Sequence, residues 1–330
     1  MNESTITIDQ AEKLRRLVSR ATAQPRCVDE SGDIFNVPLS VGPSMSQERT
    51  QPRRLARAIA ISSGKGGVGK TNLAVNLAVN FARRGLRTVL LDADLGLANA
   101  DVLCGITPRS TLEDVVTGEC TLDEVMVTAP GGFRLLPGAS GVSRLADMGQ
   151  IQRRNVLEQL MHLEQSVDVL IVDTGAGIGA NSMAFAAASH SILITCTPEP
   201  TAIADAYGAI KTLSARGCRA GMQLVVNMAL NDEEGKAVHA RVDRVARAFL
   251  GVKIGYAGAI PHDSAVPAAV RRREPVSIGA PNAPASKAIR QLAYTLSGAG
   301  SDASPMMELA DQPVHAKSFL ARLTNFLVTR

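Results

Sequence analysis

Apolar residues along this chain follow two spacings. Short runs rich in branched side chains recur at Ala58–Ile61, Thr88–Asp92, Phe133–Leu136, Val167–Asp173, Ser191–Thr197, Gln223–Asn227 and Tyr256–Ile260. Each is bounded by polar or glycine-containing turns and reads as a buried strand. Helix-length segments lie between most of them. The clearest carries Leu73, Ala74, Leu77, Ala78, Phe81 and Ala82 at helical spacing. It stops at Arg83-Arg84-Gly85, where glycine can take the left-handed conformation that ends a helix. Strands alternating with helices predict an α/β fold, a doubly wound and mostly parallel sheet flanked by helices. In such a sheet ligands gather at the carboxyl ends of the strands.

The pattern also divides the chain. Residues 1–24 hold a short N-terminal helix, 25–55 a polar linker and 56–295 the α/β domain. A Ser/Gly/Ala connector covers 296–314, and a last amphipathic helix covers 315–330. No apolar run approaches the roughly 18–20 residues that span a bilayer. The first residues lack the apolar core of a signal peptide.

Composition adds little to this picture. With 330 residues, 45 % of them hydrophobic and 3 % aromatic, the core must be built from Val, Leu, Ile and Ala. A net charge of +4 is too small to announce nucleic acid. Five cysteines without a CxxC pair suggest reduced thiols, not a disulfide framework or a metal cluster.

The candidate chemistry begins after the first strand. Ser63-Gly64-Lys65-Gly66-Gly67-Val68-Gly69-Lys70-Thr71-Asn72 contains the phosphate loop G-x-x-x-x-G-K-[ST], with a second lysine, Lys65, inside it. Glycines let successive backbone N–H groups converge on phosphate oxygens, and the following helix adds its unpaired N–H groups. Lys70 is placed to reach the β/γ oxygens, and the Thr71 hydroxyl to bind Mg2+. Strand, loop and helix come in the required order, so the chain is expected to bind a nucleotide triphosphate.

Acids end two of the strands. Asp92 and Asp94 stand one residue apart, on one side of an extended chain. Asp94 is expected to orient the attacking water, with Asp92 as support near Mg2+. Asp173 closes Val169-Leu170-Ile171-Val172 and is the second Mg2+ anchor, reached through water. Gly175, Gly177 and Gly179 follow it, in a loop able to rearrange when a γ-phosphate is lost. At the end of another strand Asn227 offers adenine both a donor and an acceptor, and Pro261 offers a wall for the base. Each of these acids, and Asn227, has a plainer alternative as a cap or turn residue.

Lys65, the run Asp92-Ala93-Asp94-Leu95-Gly96-Leu97-Ala98-Asn99, Asp173 with its glycines, and Thr197-Pro198-Glu199-Pro200-Thr201 together resemble the MinD/ParA group of deviant Walker-A ATPases. The resemblance spans roughly 56–295 and implies a P-loop NTPase fold of the SIMIBI type. It implies slow ATP hydrolysis with Mg2+, and an ATP-dependent sandwich homodimer in which Lys65 reaches the partner's phosphates. Within that group the chain is most similar to the flagellar-number regulators, the FlhG/FleN subfamily. The similar stretches are Asp9–Arg15, Ile171–Gly177, Thr197–Tyr207 and Pro284–Arg290.

Both ends carry apolar faces. Thr7 and Gln10 form a capping box, and Ala11, Leu14, Leu17, Val18 and Ala21 then share one side of a helix. That side either docks on the ATPase core or meets a partner. The resemblance points to the SRP-type GTPase FlhF, stimulated by this segment with Gln10 near its nucleotide. Flagellar switch or C-ring components are further implied partners. Phe319, Leu320, Leu323, Phe326 and Leu327 line the last helix, with Lys317, Arg322 and Arg330 around them. It reads as a helix lying in the membrane interface, or else packed on the core. One such tail is marginal and two on a dimer gain avidity. This predicts a protein of the cytoplasm that binds the inner face of the cell membrane reversibly. Competing readings are a division-site regulator, an iron–sulfur carrier, disfavoured by the missing CxxC, and a DNA-partition ATPase. For the last, Arg271-Arg272-Arg273 is the sole basic run of note and fits a solvated face as well.

Overall fold

The computed structural model describes residues 55–94, 99–138, 150–218, 220–298 and 318–328. Among the described residues eight strands form one sheet: β1 (Arg57–Ser62), β2 (Thr88–Ala93), β3 (Val127–Thr128), β4 (Arg134–Leu136), β5 (Val169–Thr174), β6 (Ser191–Cys196), β7 (Gly221–Ala229) and β8 (Gly255–Pro261). Their order is β3-β4-β2-β5-β1-β6-β7-β8, and only the β3–β4 pair is antiparallel. The six long strands fall where the apolar runs place them, within one to two residues at most ends. The two-residue β3 had no pattern to reveal it.

The longer helices are α1 (Lys70–Arg83), α2 (Gln150–Ser166), α3 (Ala180–Ala188), α4 (Pro200–Ala215), α5 (Asp232–Leu250), α6 (Pro284–Leu296) and α7 (Phe319–Val328). They cover both faces of the sheet, which is why the central strands are apolar on both sides. Ile59, Ile61, Leu90, Ile171 and Leu193 face a layer containing α1 and α6. Ala58, Ala60, Leu91, Val172 and Ile194 face the layer containing α2, α3 and α4. The strand order turns at β1, whose neighbours β5 and β6 take the chain in opposite directions across the sheet. That switch point is where a doubly wound sheet opens its ligand crevice.

The terminal helix is packed on the core in this structure. Phe319 is 0 % exposed, Leu323 2 % and Leu320 5 %. These side chains, read from sequence as lipid-facing or else packed on the core, pack against α2 and α3. The start of α7 is capped from another element: Glu164, in α2, accepts hydrogen bonds from the N–H groups of Phe319 (2.7 Å) and Leu320 (3.4 Å). A carboxylate there satisfies two donors that a helix start leaves open and complements the helix dipole. Burial pushes the Glu164 carboxyl above the usual range, while those N–H bonds, the Ser318 hydroxyl and Arg322 pull it back. The side chains of Phe326 and Leu327, and the whole N-terminal helix with Gln10, lie outside the described residues. Among the described residues no helix is long and apolar enough to cross a membrane.

Candidate functional site

The carboxyl ends of β1, β2, β5, β6 and β7 bring most of the sequence-predicted residues together. β1 runs into the phosphate loop, and Gly69 turns the loop into α1 with φ 88°, a left-handed value that costs glycine little. The Ser63 hydroxyl donates to the Lys65 carbonyl (2.6 Å), and the Gly177 N–H donates to the Ser63 carbonyl (3.1 Å). The loop after β5 is thereby tied to the phosphate loop. Gly64 admits no side chain: a Cβ there would run into the backbone of Asp205 in α4.

Lys70 opens α1 and is 7 % exposed. Asp92 and Asp173 pair in register on β2 and β5, 2 % and 1 % exposed. Their surroundings differ. Both Asp173 oxygens are buried with no hydrogen-bond partner. Burial, and then the Asp92 carboxylate, drive this carboxyl up to about 7, offset in part by the nearby Thr71 hydroxyl and Lys70. A buried acid left without donors beside a threonine hydroxyl fits a hydrated Mg2+, so Thr71 and Asp173 are suited to hold one.

Asp92 does something else. Its carboxylate accepts from the N–H groups of Asp94 (3.2 Å), Asn99 (3.1 Å) and Ala100 (3.1 Å). Burial still raises its pKa, against the pull of those three amides. In the nucleotide-free protein these oxygens therefore anchor the segment that carries Asp94. A Cβ at Gly175 would lie 3.3 Å from Asp94 Oδ1, so the loop after β5 passes against that carboxylate.

Lys65 leans away along the surface. Its ammonium donates to Glu199 Oε2 and Thr201 Oγ1, each at 3.2 Å, at the start of α4. Asn227 follows the buried run Leu224–Val226 of β7, and its Nδ2 donates to the Val68 carbonyl at 2.8 Å. Pro261 closes β8 next to it, in register with Ala229. Sequence reasoning did not assign Glu199, Thr201 or Ser63 a place in the site. The Thr-Pro-Glu-Pro-Thr run was the available signal for the first two.

A family model for ParA, described as NUBPL iron-transfer P-loop NTPase, matches residues 54–297. The antiactivator FleN of Pseudomonas aeruginosa is 40 % identical over 273 residues, covering 83 % of this chain and 95 % of the relative. The chain belongs to the MinD/ParA family of P-loop ATPases. Another relative, the flagellum site-determining protein YlxH of Helicobacter pylori, is 37 % identical over 273 residues, 82 % of this chain and 90 % of its own. The septum site-determining protein MinD from Pyrococcus horikoshii, solved with Mg-ADP, shares the fold at TM-score 0.60. Its identity is 21 %, over 76 % of this chain and 100 % of that one. As a MinD/ParA ATPase this protein binds ATP with Mg2+ and hydrolyses it.

Proposed function

We propose that this ATPase is a switch that dimerises on ATP and regulates flagellar number or placement. The placement of Lys65 carries the reading. A lysine inside a phosphate loop that is held sideways by Glu199 and Thr201 is available to a second copy facing the nucleotide. An exposed ion pair of this kind holds it weakly. Around the same edge of the sheet Ile178, Met228 and Leu230 are 55 %, 42 % and 81 % exposed, an apolar rim that a second subunit would cover. Within the site, loop amides and Lys70 take the phosphates, Thr71 and Asp173 the Mg2+, and Asp94 aims the water. Bound Mg2+ supplies charge neutralisation. The Asn227 Oδ1, opposite the amide edge spent on Val68, favours the amino group of adenine. The likeness to FleN and YlxH supports the flagellar assignment.

The membrane step is then an undocking. In the described state Phe319, Leu320 and Leu323 of α7 are buried, so their entry into a membrane requires α7 to leave α2 and α3. α3 begins directly after the glycine loop 175–179, which gives that loop a lever on the tail. Glu164→Ala removes the cap and leaves buried N–H groups unpaired, a cost of about 1–3 kcal/mol to the docked state. Nucleotide-free E164A is expected to co-sediment severalfold more with anionic phosphatidylglycerol vesicles than wild type does. Binding equal to wild type, in ADP and in ATP alike, would remove the docked tail from the scheme.

The N-terminal segment is proposed to stimulate FlhF. A peptide of residues 1–24 should accelerate GTP hydrolysis by that GTPase, and Gln10→Ala should weaken the effect. A peptide without effect on the rate ends this part of the proposal. DNA is disfavoured as a partner: within the run Arg271–Arg273, Arg272 faces Glu274 at 3.6 Å, so the strip is not uniformly cationic.

A further inference from the structure

We infer that Asn227 is a positioning residue for the phosphate loop itself, in addition to any contact it makes with a base. The inference rests on the ATP reading above but concerns the protein before nucleotide arrives. Asn227 and Val68 are 159 residues apart, and the hydrogen bond between them joins the end of β7 to the last turn of the loop. A backbone carbonyl only accepts, so the amide must present its NH2 to Val68 and its oxygen to the opposite side.

The contact falls at a sensitive place. Val68 is 3 % exposed, and Gly69, next in the chain, takes φ 88° before Lys70 opens α1. A Cβ on Gly69 would land on Asn227 Nδ2, so the amide lies directly against the peptide that turns loop into helix. The Gly69 carbonyl in turn accepts the N–H of Leu73 at 3.0 Å, which locks the first turn of α1. The direction of the Lys70 side chain and of the loop N–H groups depends on this turn.

The strand end that delivers Asn227 is itself unusual. Met228 has φ 57°, a left-handed value rare outside glycine and asparagine, and the β7–β8 register is irregular between Asn227 and Ala229. Such a conformation persists only where the surroundings hold it. Here it makes a bulge in the strand immediately after the residue that touches the loop. One amide thus links the base side of the crevice to the phosphate side, and shapes the phosphate cradle whether or not a base is present.

The experiment compares wild type with Asn227→Ala and Asn227→Ser, both checked for wild-type circular dichroism. In nucleotide-free protein, amide hydrogen exchange across residues 66–73 should be at least about threefold faster in the variants. Binding of Mg·tripolyphosphate, which has no base, should weaken about 3–10-fold, measured by competition against a fluorescent ATP analogue. Loop exchange and tripolyphosphate affinity that match wild type, with ATP affinity alone reduced, would overturn the inference and leave Asn227 as a base contact only. Wild-type protein that binds neither ATP nor tripolyphosphate would instead sink the ATP reading. The exchange rates would still decide the brace.

Discussion

An Asp94→Ala protein is expected to lose about a hundredfold or more of its ATP turnover while accumulating as a dimer in Mg·ATP. The carboxylate that would aim the water sits at the end of β2. Its backbone is tied down by Asp92, and its Oδ1 lies against the glycine loop after β5. Phosphoryl transfer asks a protein for position and charge, so removing the group that positions water slows chemistry without touching the phosphate cradle. Lys65→Ala is the contrasting arm. It leaves Lys70 and the loop amides in place, and is expected to bind ATP yet stay monomeric, because the proposed intersubunit contact is gone. Phosphate release and light scattering behind a sizing column measure both. A D94A protein that remains single in saturating Mg·ATP would end the dimer scheme, and a K65A protein that dimerises normally would end the role given to that lysine.

The second large effect concerns Asp173. Burial and the Asp92 carboxylate push its carboxyl up to about 7 in the nucleotide-free protein, from an ordinary value of 3.8. Between these values the folded protein holds a proton that the unfolded chain has released. Stability from this group is therefore full at low pH and declines as pH rises through 7. The shift corresponds to about 4 kcal/mol at most. Tm of the nucleotide-free protein is expected to fall by several degrees from pH 5 to pH 7 and to level off above that. Asp173→Asn, which cannot ionise, should flatten most of that decline and also lose Mg2+-dependent tightening of ATP binding. Mg·ADP should flatten it in wild type, since a cation rewards the ionised form. A wild-type profile that rises over this range, or a D173N profile that follows wild type, would show that the orphaned carboxyl is not the group responsible.

Asp92 illustrates why neighbouring acids of similar appearance part company. Both Asp92 and Asp173 end apolar strands, and sequence alone treats them alike. The difference lies in the path of the chain beyond each strand. Beyond β2 the amides of Asp94, Asn99 and Ala100 point at one carboxylate, whereas after β5 the chain leaves along a glycine loop. The terminal helix carries the same lesson. Its apolar stripe was plain in the sequence, but a stripe says only that something apolar covers it.

The phosphate loop, the strand-end acids and the α/β alternation were legible because each is written in contiguous residues. Gly64 through Thr71 form one contiguous stretch, and run length, branched side chains and bounding turns distinguish strand from helix. Three features that decide how the site is set were not legible. Lys65 rests on Glu199, 134 residues away; the start of α7 on Glu164, 155 residues away; and Val68 on Asn227. Contacts across such distances leave no local spacing to read, since they exist only once the sheet has put β1, β6 and β7 side by side and packed α7 on α2 and α3. The chain's own pattern determined what chemistry it carries, and the tertiary structure decided which of those groups are engaged and which are left ready.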